Sequence, residues 1–268
     1  MPPLNLQILA ATALLLGASA PGFGQQTERP VVDPPSDKAS FRIYLLMGQS
    51  NMAGRDTSEL ASQTTSPRVL AMTPEGRWTI AKDPIHQKDG RTEPGAGPGI
   101  PFGLEMIQAA PTVTIGLVPG AVGGSPLKRW VKGGDLYRAA LAKAKLAAPS
   151  GTIAGVLWLQ GETDADKQPW ADSYGARLSQ MFTDLRRDLG RPTLPIVVGQ
   201  IGDFLPRDKH PYVDTVRAAI KQVAATVPNV GYADAAGLED KGDKLHYSAD
   251  AQKQMGARFA QAMQRLQE

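Results

Sequence analysis

The chain is organised by an alternation: short apolar runs rich in Val, Ile and Leu recur between longer amphipathic stretches. The runs fall at residues 41–47, 112–118, 153–159, 194–200 and 230–233. Strands that are apolar on both faces belong inside a parallel sheet covered by helices on either side, so the expected class is α/β. The amphipathic stretches at 103–110, 135–147, 172–189, 212–226 and 248–266 supply the helices. In the third, Tyr174, Leu178, Met181, Phe182, Leu185 and Leu189 stand at offsets 0, 4, 7, 8, 11 and 15, a single helical face suited to core packing. Ser248 can cap the last helix, with Asp250 in its first turn where negative charge is favourable.

Two stretches lack regular patterning. Residues 56–101 are long, polar and punctuated by proline and glycine, and 202–211 are shorter. A structureless loop as long as the first is uncommon inside a compact domain, so a folded excursion over one face is expected. No repeat or linker divides the chain, and 268 residues suit one domain with a large core.

Residues 1–24 carry no charged side chain and include an apolar stretch at 8–16, too short to span a membrane. They read as a secretory signal peptide, although the usual basic side chain near the start is missing. Cleavage after Gly22-Phe23-Gly24 is preferred over Ala18-Ser19-Ala20, which Pro21 follows unfavourably. Residues 25–40 then form a polar leader, and a secreted or periplasmic protein without a stable membrane anchor is expected.

Composition removes several functions. With no cysteine there is no disulfide, thiol nucleophile, cysteine zinc site or lipid-modified cysteine, and no histidine pair stands at metal-ligand spacing. Twenty-nine basic and 26 acidic residues leave a net charge of +3. The densest basic groups, Lys128-Arg129 and Arg186-Arg187, are only pairs, so no nucleic-acid partner is expected. The run Gly95-Ala96-Gly97-Pro98-Gly99 follows no predicted strand and lacks phosphate-loop spacing, so no nucleotide cofactor is expected and no metal is required.

Ligands of an open parallel sheet bind beyond the carboxyl ends of its strands, so the residues just after each run carry the search. The first is followed by Gly48-Gln49-Ser50-Asn51-Met52, the second by Pro119-Gly120-Ala121-Val122-Gly123-Gly124-Ser125, the third by Gln160-Gly161-Glu162 and the last by Asp243-Lys244-Leu245-His246. A serine hydroxyl needs a base to take its proton, and imidazole is the side chain best matched to that task near neutral pH. Of three histidines, His86 lies in the polar excursion and His210 precedes Pro211, and both read as surface-loop residues. His246 has Asp243 three residues before it, close enough to orient the ring as the acid of a serine triad does. Charge developing on a carbonyl oxygen needs donors already in place. The candidates are the backbone N–H groups of Ser50 and of Gly123 or Gly124, and the side-chain amide of Gln160. Taken singly, the glycines make a tight turn and Gln160 is a strand-end polar residue bonded to backbone.

These residues together resemble an SGNH-type hydrolase, specifically the sialate O-acetylesterase-like branch that includes acetyl xylan esterases of carbohydrate esterase family six. The likeness runs from about Phe41 to the C-terminal helix. It rests on Gly48-Gln49-Ser50-Asn51-Met52-Ala53-Gly54, Gly97-Pro98-Gly99 with Pro101-Phe102, the stretch 116–130, Leu157-Trp158-Leu159-Gln160-Gly161-Glu162, Asp184-Leu185-Arg186 and Asp243-Lys244-Leu245-His246. The resemblance implies a three-layer α/β/α sandwich around a five-stranded parallel sheet and removal of acetyl groups from sugars without a metal. It implies Ser50 as nucleophile, His246 as base, Asp243 as orienting acid, and Ser50 N–H, Gly123, Gly124 and Gln160 as the oxyanion hole. Glu162 stands as an alternative acid or site support, with the triad-like spacing favouring Asp243. Thr163 departs from the serine more usual there.

Two other readings keep the fold and change the role. One is an inactive carbohydrate-binding protein, against which all three triad residue types are present. The other is a short-chain esterase, lipase or peptide hydrolase, although Gly48-Gln49-Ser50-Asn51-Met52 is not the Gly-x-Ser-x-Gly elbow of lipases.

Overall fold

The structure is a computed structural model that describes residues 29–268 apart from Ala61 and Arg91. The expected signal peptide at residues 1–24 lies outside the described residues.

All five expected strands form. They are β2 (Phe41–Gly48), β5 (Thr114–Pro119), β6 (Thr152–Leu159), β7 (Ile196–Gly199) and β8 (Val230–Ala233). The sheet is larger than expected, with eight strands in the order β1-β4-β3-β5-β2-β6-β7-β8. The additions are β1 (Val31–Val32), β3 (Val69–Met72) and β4 (Trp78–Ile80). β3 joins β5 in parallel, β4 returns antiparallel to it, and β1 pairs antiparallel with β4. The long excursion therefore extends the sheet at its edge instead of only lying over a face. A tight turn makes this possible: Thr73 N–H donates to Arg77 O at 2.7 Å, and Gly76 takes the left-handed conformation at φ 81°. The polar leader is likewise not all leader, since its two adjacent valines supply the edge strand β1.

Both faces of the sheet are covered. Along β2, Phe41, Ile43, Leu45 and Met47 enter one core while Tyr44 and Leu46 enter the other, the period-2 alternation of a strand buried on both sides. The first core is roofed by α3 (Asp135–Ala147), α5 (Tyr174–Asp188) and α6 (Val213–Thr226), and the second by α2 (Gly99–Ala109) and α7 (Ala249–Gln267). This is the three-layer arrangement. The α5 face is buried at Tyr174, Leu178, Met181, Phe182 and Leu185. Ser248 caps α7 by accepting from Ala251 N–H at 3.1 Å.

Strand order sets the place of the site. β2 lies between β5 and β6, and the chain passes from β2 to β5 on one side, then crosses to β6 on the other. The loops leaving these strands part at this switch point, and in such sheets the crevice beyond the carboxyl ends is where ligands bind.

Candidate active site

The first wall of the crevice is the turn after β2. Gly48 has φ 135°, and a Cβ there would collide with the Leu159 carbonyl, so the close approach of β2 to β6 needs glycine. Gln49 is extended, and Ser50 opens the short helix α1 (Ser50–Ala53). Met52 and Ala53 N–H both donate to Gln49 O, at 3.0 and 3.1 Å. As the first helical residue, Ser50 has an N–H without an intrahelical acceptor, and it finds none elsewhere among the described residues.

The opposite wall is the loop between β8 and α7. Asp243 Oδ1 accepts from Leu245 N–H at 2.9 Å and His246 N–H at 2.8 Å, folding the segment back on itself. Lys244 takes a left-handed conformation at φ 57°, held by Asp240 Oδ1, which accepts from Gly242 and Lys244 N–H at 2.7 and 2.8 Å. His246 N–H is thereby fixed and its ring directed inward. Its Nδ1 lies 2.8 Å from Asp243 Oδ2 and its Nε2 lies 3.1 Å from Ser50 Oγ. Burial pushes the Asp243 carboxyl up, but hydrogen bonds from the His246 ring, the His246 and Leu245 N–H groups and Lys241 outweigh it and hold the group well below the usual carboxylate range.

Asn51 ties the two walls together. Its Oδ1 accepts from Tyr247 N–H at 3.0 Å, its Nδ2 donates to Leu245 O at 3.1 Å and to Glu162 Oε1, and its carbonyl accepts from Gln252 Nε2 at 2.8 Å. Among the described residues, the hydrogen-bonded route from Glu162 to the histidine loop runs through Asn51. Its carboxyl is pushed up by burial, and Oε2 has no partner among the described residues. Of the two candidate acids, Asp243 is the one in contact with the imidazole.

The donors expected for the oxyanion hole are near one another in the fold but differently engaged. Gly123 N–H donates to the Asp89 carboxylate. Gln160 is fully buried, and its Nε2 contacts Asp164 Oδ2 at 2.7 Å and both Gln49 Oε1 and Ser125 O at 3.1 Å. Its carbonyl accepts from Tyr174 OH at 2.7 Å, so Gln160 binds the floor of the crevice instead of presenting a free amide. Two carboxylates that the sequence reading passed over, Asp89 and Asp164, account for the difference. Gly124, with φ 62°, carries an N–H without an acceptor among the described residues.

The remaining histidines stand apart. His210 Nδ1 lies 2.6 Å from Asp166 Oδ1 in an exposed pair. His86, expected at the surface, is buried, and among the described residues neither ring nitrogen has a hydrogen-bond partner of ordinary geometry. Burial first, then the Lys143 and Arg55 cations, pull its pKa down to about 3. Among the described residues no cluster of three or more His, Asp or Glu side chains is placed to hold a metal, and no helix is long and apolar enough to cross a membrane.

A serine facing an imidazole that a carboxylate backs, at the carboxyl edge of a doubly wound parallel sheet, is the arrangement of an SGNH-type hydrolase. Residues 40–265 match the family described as carbohydrate esterase, sialic acid-specific acetylesterase, and the chain belongs to that family. It is an acetylesterase, a carboxylic ester hydrolase. A probable carbohydrate esterase of Arabidopsis thaliana is 33% identical over 265 residues, 92% of this chain and 96% of the relative. The crystal structure of an Arabidopsis thaliana protein, also 33% identical, superposes with a TM-score of 0.75 over 84% of this chain and 98% of that one. NanS, at 16% identity, shares the fold with a TM-score of 0.71 over 88% of this chain and 99% of its own.

Proposed function

We propose that the protein removes O-acetyl groups from acetylated sugars, of acetyl xylan or sialate type, through an acetyl-serine intermediate. His246 Nε2 takes the proton from Ser50 Oγ as the oxygen attacks the acetyl carbonyl, and the protonated ring then returns it to the departing sugar oxygen. Water, deprotonated by the same nitrogen, attacks the acetyl-serine, and the Ser50–acyl bond breaks as the ring returns that proton to Ser50 Oγ, giving acetate and free serine. Asp243 holds the ring in the tautomer with its proton on Nδ1 and stabilises the imidazolium. Ser50 N–H is the first donor to the oxyanion. Glu162 supports the site by holding Asn51, which carries the histidine loop.

The observation behind this reading is the unbroken line from Ser50 Oγ to His246 Nε2 at 3.1 Å and from His246 Nδ1 to Asp243 Oδ2 at 2.8 Å. Family membership supplies the sugar acetate class. The uncharged stretch 1–24 supports export, where acetylated glycans are met. Ser50→Ala should reduce acetate release from acetylated xylan, acetylated sialic acid and p-nitrophenyl acetate by about 1000-fold or more, with the fold intact by circular dichroism. Turnover within tenfold of the parent would remove the serine from the mechanism.

A further inference from the structure

The Gly123 peptide is held by a group that the mechanism does not yet use. Arg55 follows α1 directly after Gly54, so it belongs to the same turn as the nucleophile. Its guanidinium is buried, 4% exposed, and donates to Gly54 O at 2.7 Å and to Asp89 Oδ2 at 2.7 Å. Asp89 comes from the excursion between β4 and α2, and its carboxylate is 16% exposed. The same Oδ2 accepts the Gly123 N–H. A Cβ at Gly123 would strike both the Arg55 guanidinium and the Asp89 carboxylate. Gly123 has no positive φ, so glycine is required there by proximity to the ion pair and not by backbone conformation.

The rest of the loop is held by other means. Gly120 and Val122 N–H continue the pairing beyond the end of β5, donating to Leu46 O and Gly48 O at 2.9 and 3.0 Å. On the far side, Ser125 O accepts from Gln160 and Ser125 Oγ bonds Val122 O at 2.7 Å. Only the peptides of Gly123 and Gly124 lie between these anchors, and Asp89 fixes the first of them.

We propose that Arg55 and Asp89 form a positioning pair for the oxyanion hole: Asp89 engages the Gly123 N–H and sets the following peptide, leaving the Gly124 N–H as the loop's donor, while Arg55 cancels the carboxylate's charge. The inference rests on the Ser50 acyl-transfer reading. Its electrostatics are asymmetric. A lone carboxylate bonded to this loop opposes negative charge developing on the substrate oxygen, so Asp89 helps only while Arg55 accompanies it. Burial sharpens the asymmetry, because a charge stripped of its partner is costly there.

The test is a double-mutant cycle on p-nitrophenyl acetate, with kcat and KM measured separately. Asp89→Asn should lower kcat by about tenfold with KM within about threefold, since the loop loses its anchor and not a substrate contact. Arg55→Gln should lower kcat further, by about 100-fold, because it leaves the carboxylate uncompensated. Adding Asp89→Asn to Arg55→Gln should then recover part of that loss. Recovery on removing a second side chain is a result that simple structural damage does not produce. Arg55→Lys, which keeps the charge, should fall between parent and Arg55→Gln and serves as the comparison if Arg55→Gln does not fold. Unchanged or increased kcat in Asp89→Asn, or strictly additive losses in the double variant, would overturn the positioning role while the Ser50 reading stands. If Ser50→Ala retains turnover, the reading beneath falls first and this inference with it.

Discussion

Two imidazole–carboxylate pairs flank this sheet edge, and by pair geometry alone they are nearly indistinguishable. His246 and Asp243 meet at 2.8 Å, His210 and Asp166 at 2.6 Å, each through Nδ1, and the rings are 16% and 14% exposed. Their surroundings separate them. Asp243 also accepts two backbone N–H groups and lies 3.1 Å from Lys241 Nζ, whereas among the described residues Asp166 has only the ring. His246 Nε2 faces Ser50 Oγ, whereas among the described residues no such partner faces His210 Nε2. A histidine beside an aspartate is therefore not a site by itself. The glycine-dependent turn that delivers Ser50 to one ring and not the other makes the difference.

The largest effect in this comparison is expected at the carboxylate behind the His246 ring. Asp243→Asn keeps the size of the side chain but removes the charge that fixes the tautomer, and kcat should fall by about 100-fold or more. Glu162→Gln preserves an oxygen to accept from Asn51 and should cost less than about tenfold. If only the glutamate variant collapses under the same conditions, the acid was misassigned. Because the Asp243 carboxyl is held well below its usual range, its contribution to folding stability is complete above about pH 4 and is lost as pH falls through its lowered folded value.

His86 supplies a third case, an imidazole with no carboxylate bonded to it among the described residues. Its pKa in the fold is about 3, against the ordinary 6.5, so between these values the unfolded chain binds a proton that the native ring refuses. Stability carried by this residue is present above about pH 6.5 and is lost as pH falls towards 3, with a slope approaching about 1.4 kcal/mol per pH unit. His86→Met should flatten that slope in urea unfolding measured from pH 7 to pH 4. Identical slopes in the two proteins would mean that the ring is protonated, and hence hydrated or partnered, in the native state.

The strands and helices of the main sheet were legible because burial on both faces writes continuous apolar runs, and the helices between them carry one apolar stripe each. The meeting of Ser50, Asp243 and His246 was legible because Ser50 sits just past the end of β2 and Asp243 stands three residues before His246, in a family-like order. β1, β3 and β4 were not, since strands of two to four residues carry too little pattern to stand out from a polar, proline-rich stretch. The pairing of Arg55 with Asp89, of Asn51 with Glu162 and of Asp164 with Leu127 joins residues 34, 111 and 37 positions apart. No local period encodes such contacts. They also decided which expected oxyanion donors stayed free, so Gly123 and Gln160 were located by sequence while their hydrogen bonds were not. His86 misled for the same reason: its neighbours Gln87, Lys88 and Asp89 are polar, but the fold turns its ring inward.

The smallest effect expected is the one that most directly tests the comparison between the two pairs. His210→Asn removes a ring whose hydrogen bond runs to Asp166, a carboxylate 43% exposed and screened by solvent, a contact worth about 0.2–1 kcal/mol in stability. Among the described residues no nucleophile stands before its Nε2 to supply a proton for it to move, so kcat for p-nitrophenyl acetate should stay within about twofold of the parent. Asp166→Asn should match it, because among the described residues Asp166 bonds only to that ring. A rise in KM for an acetylated glycan, with kcat unchanged, would place His210 on the substrate side of the crevice. A tenfold fall in kcat with both substrates would show that the second pair takes part in proton transfer, and the distinction drawn from the position of Ser50 would fail.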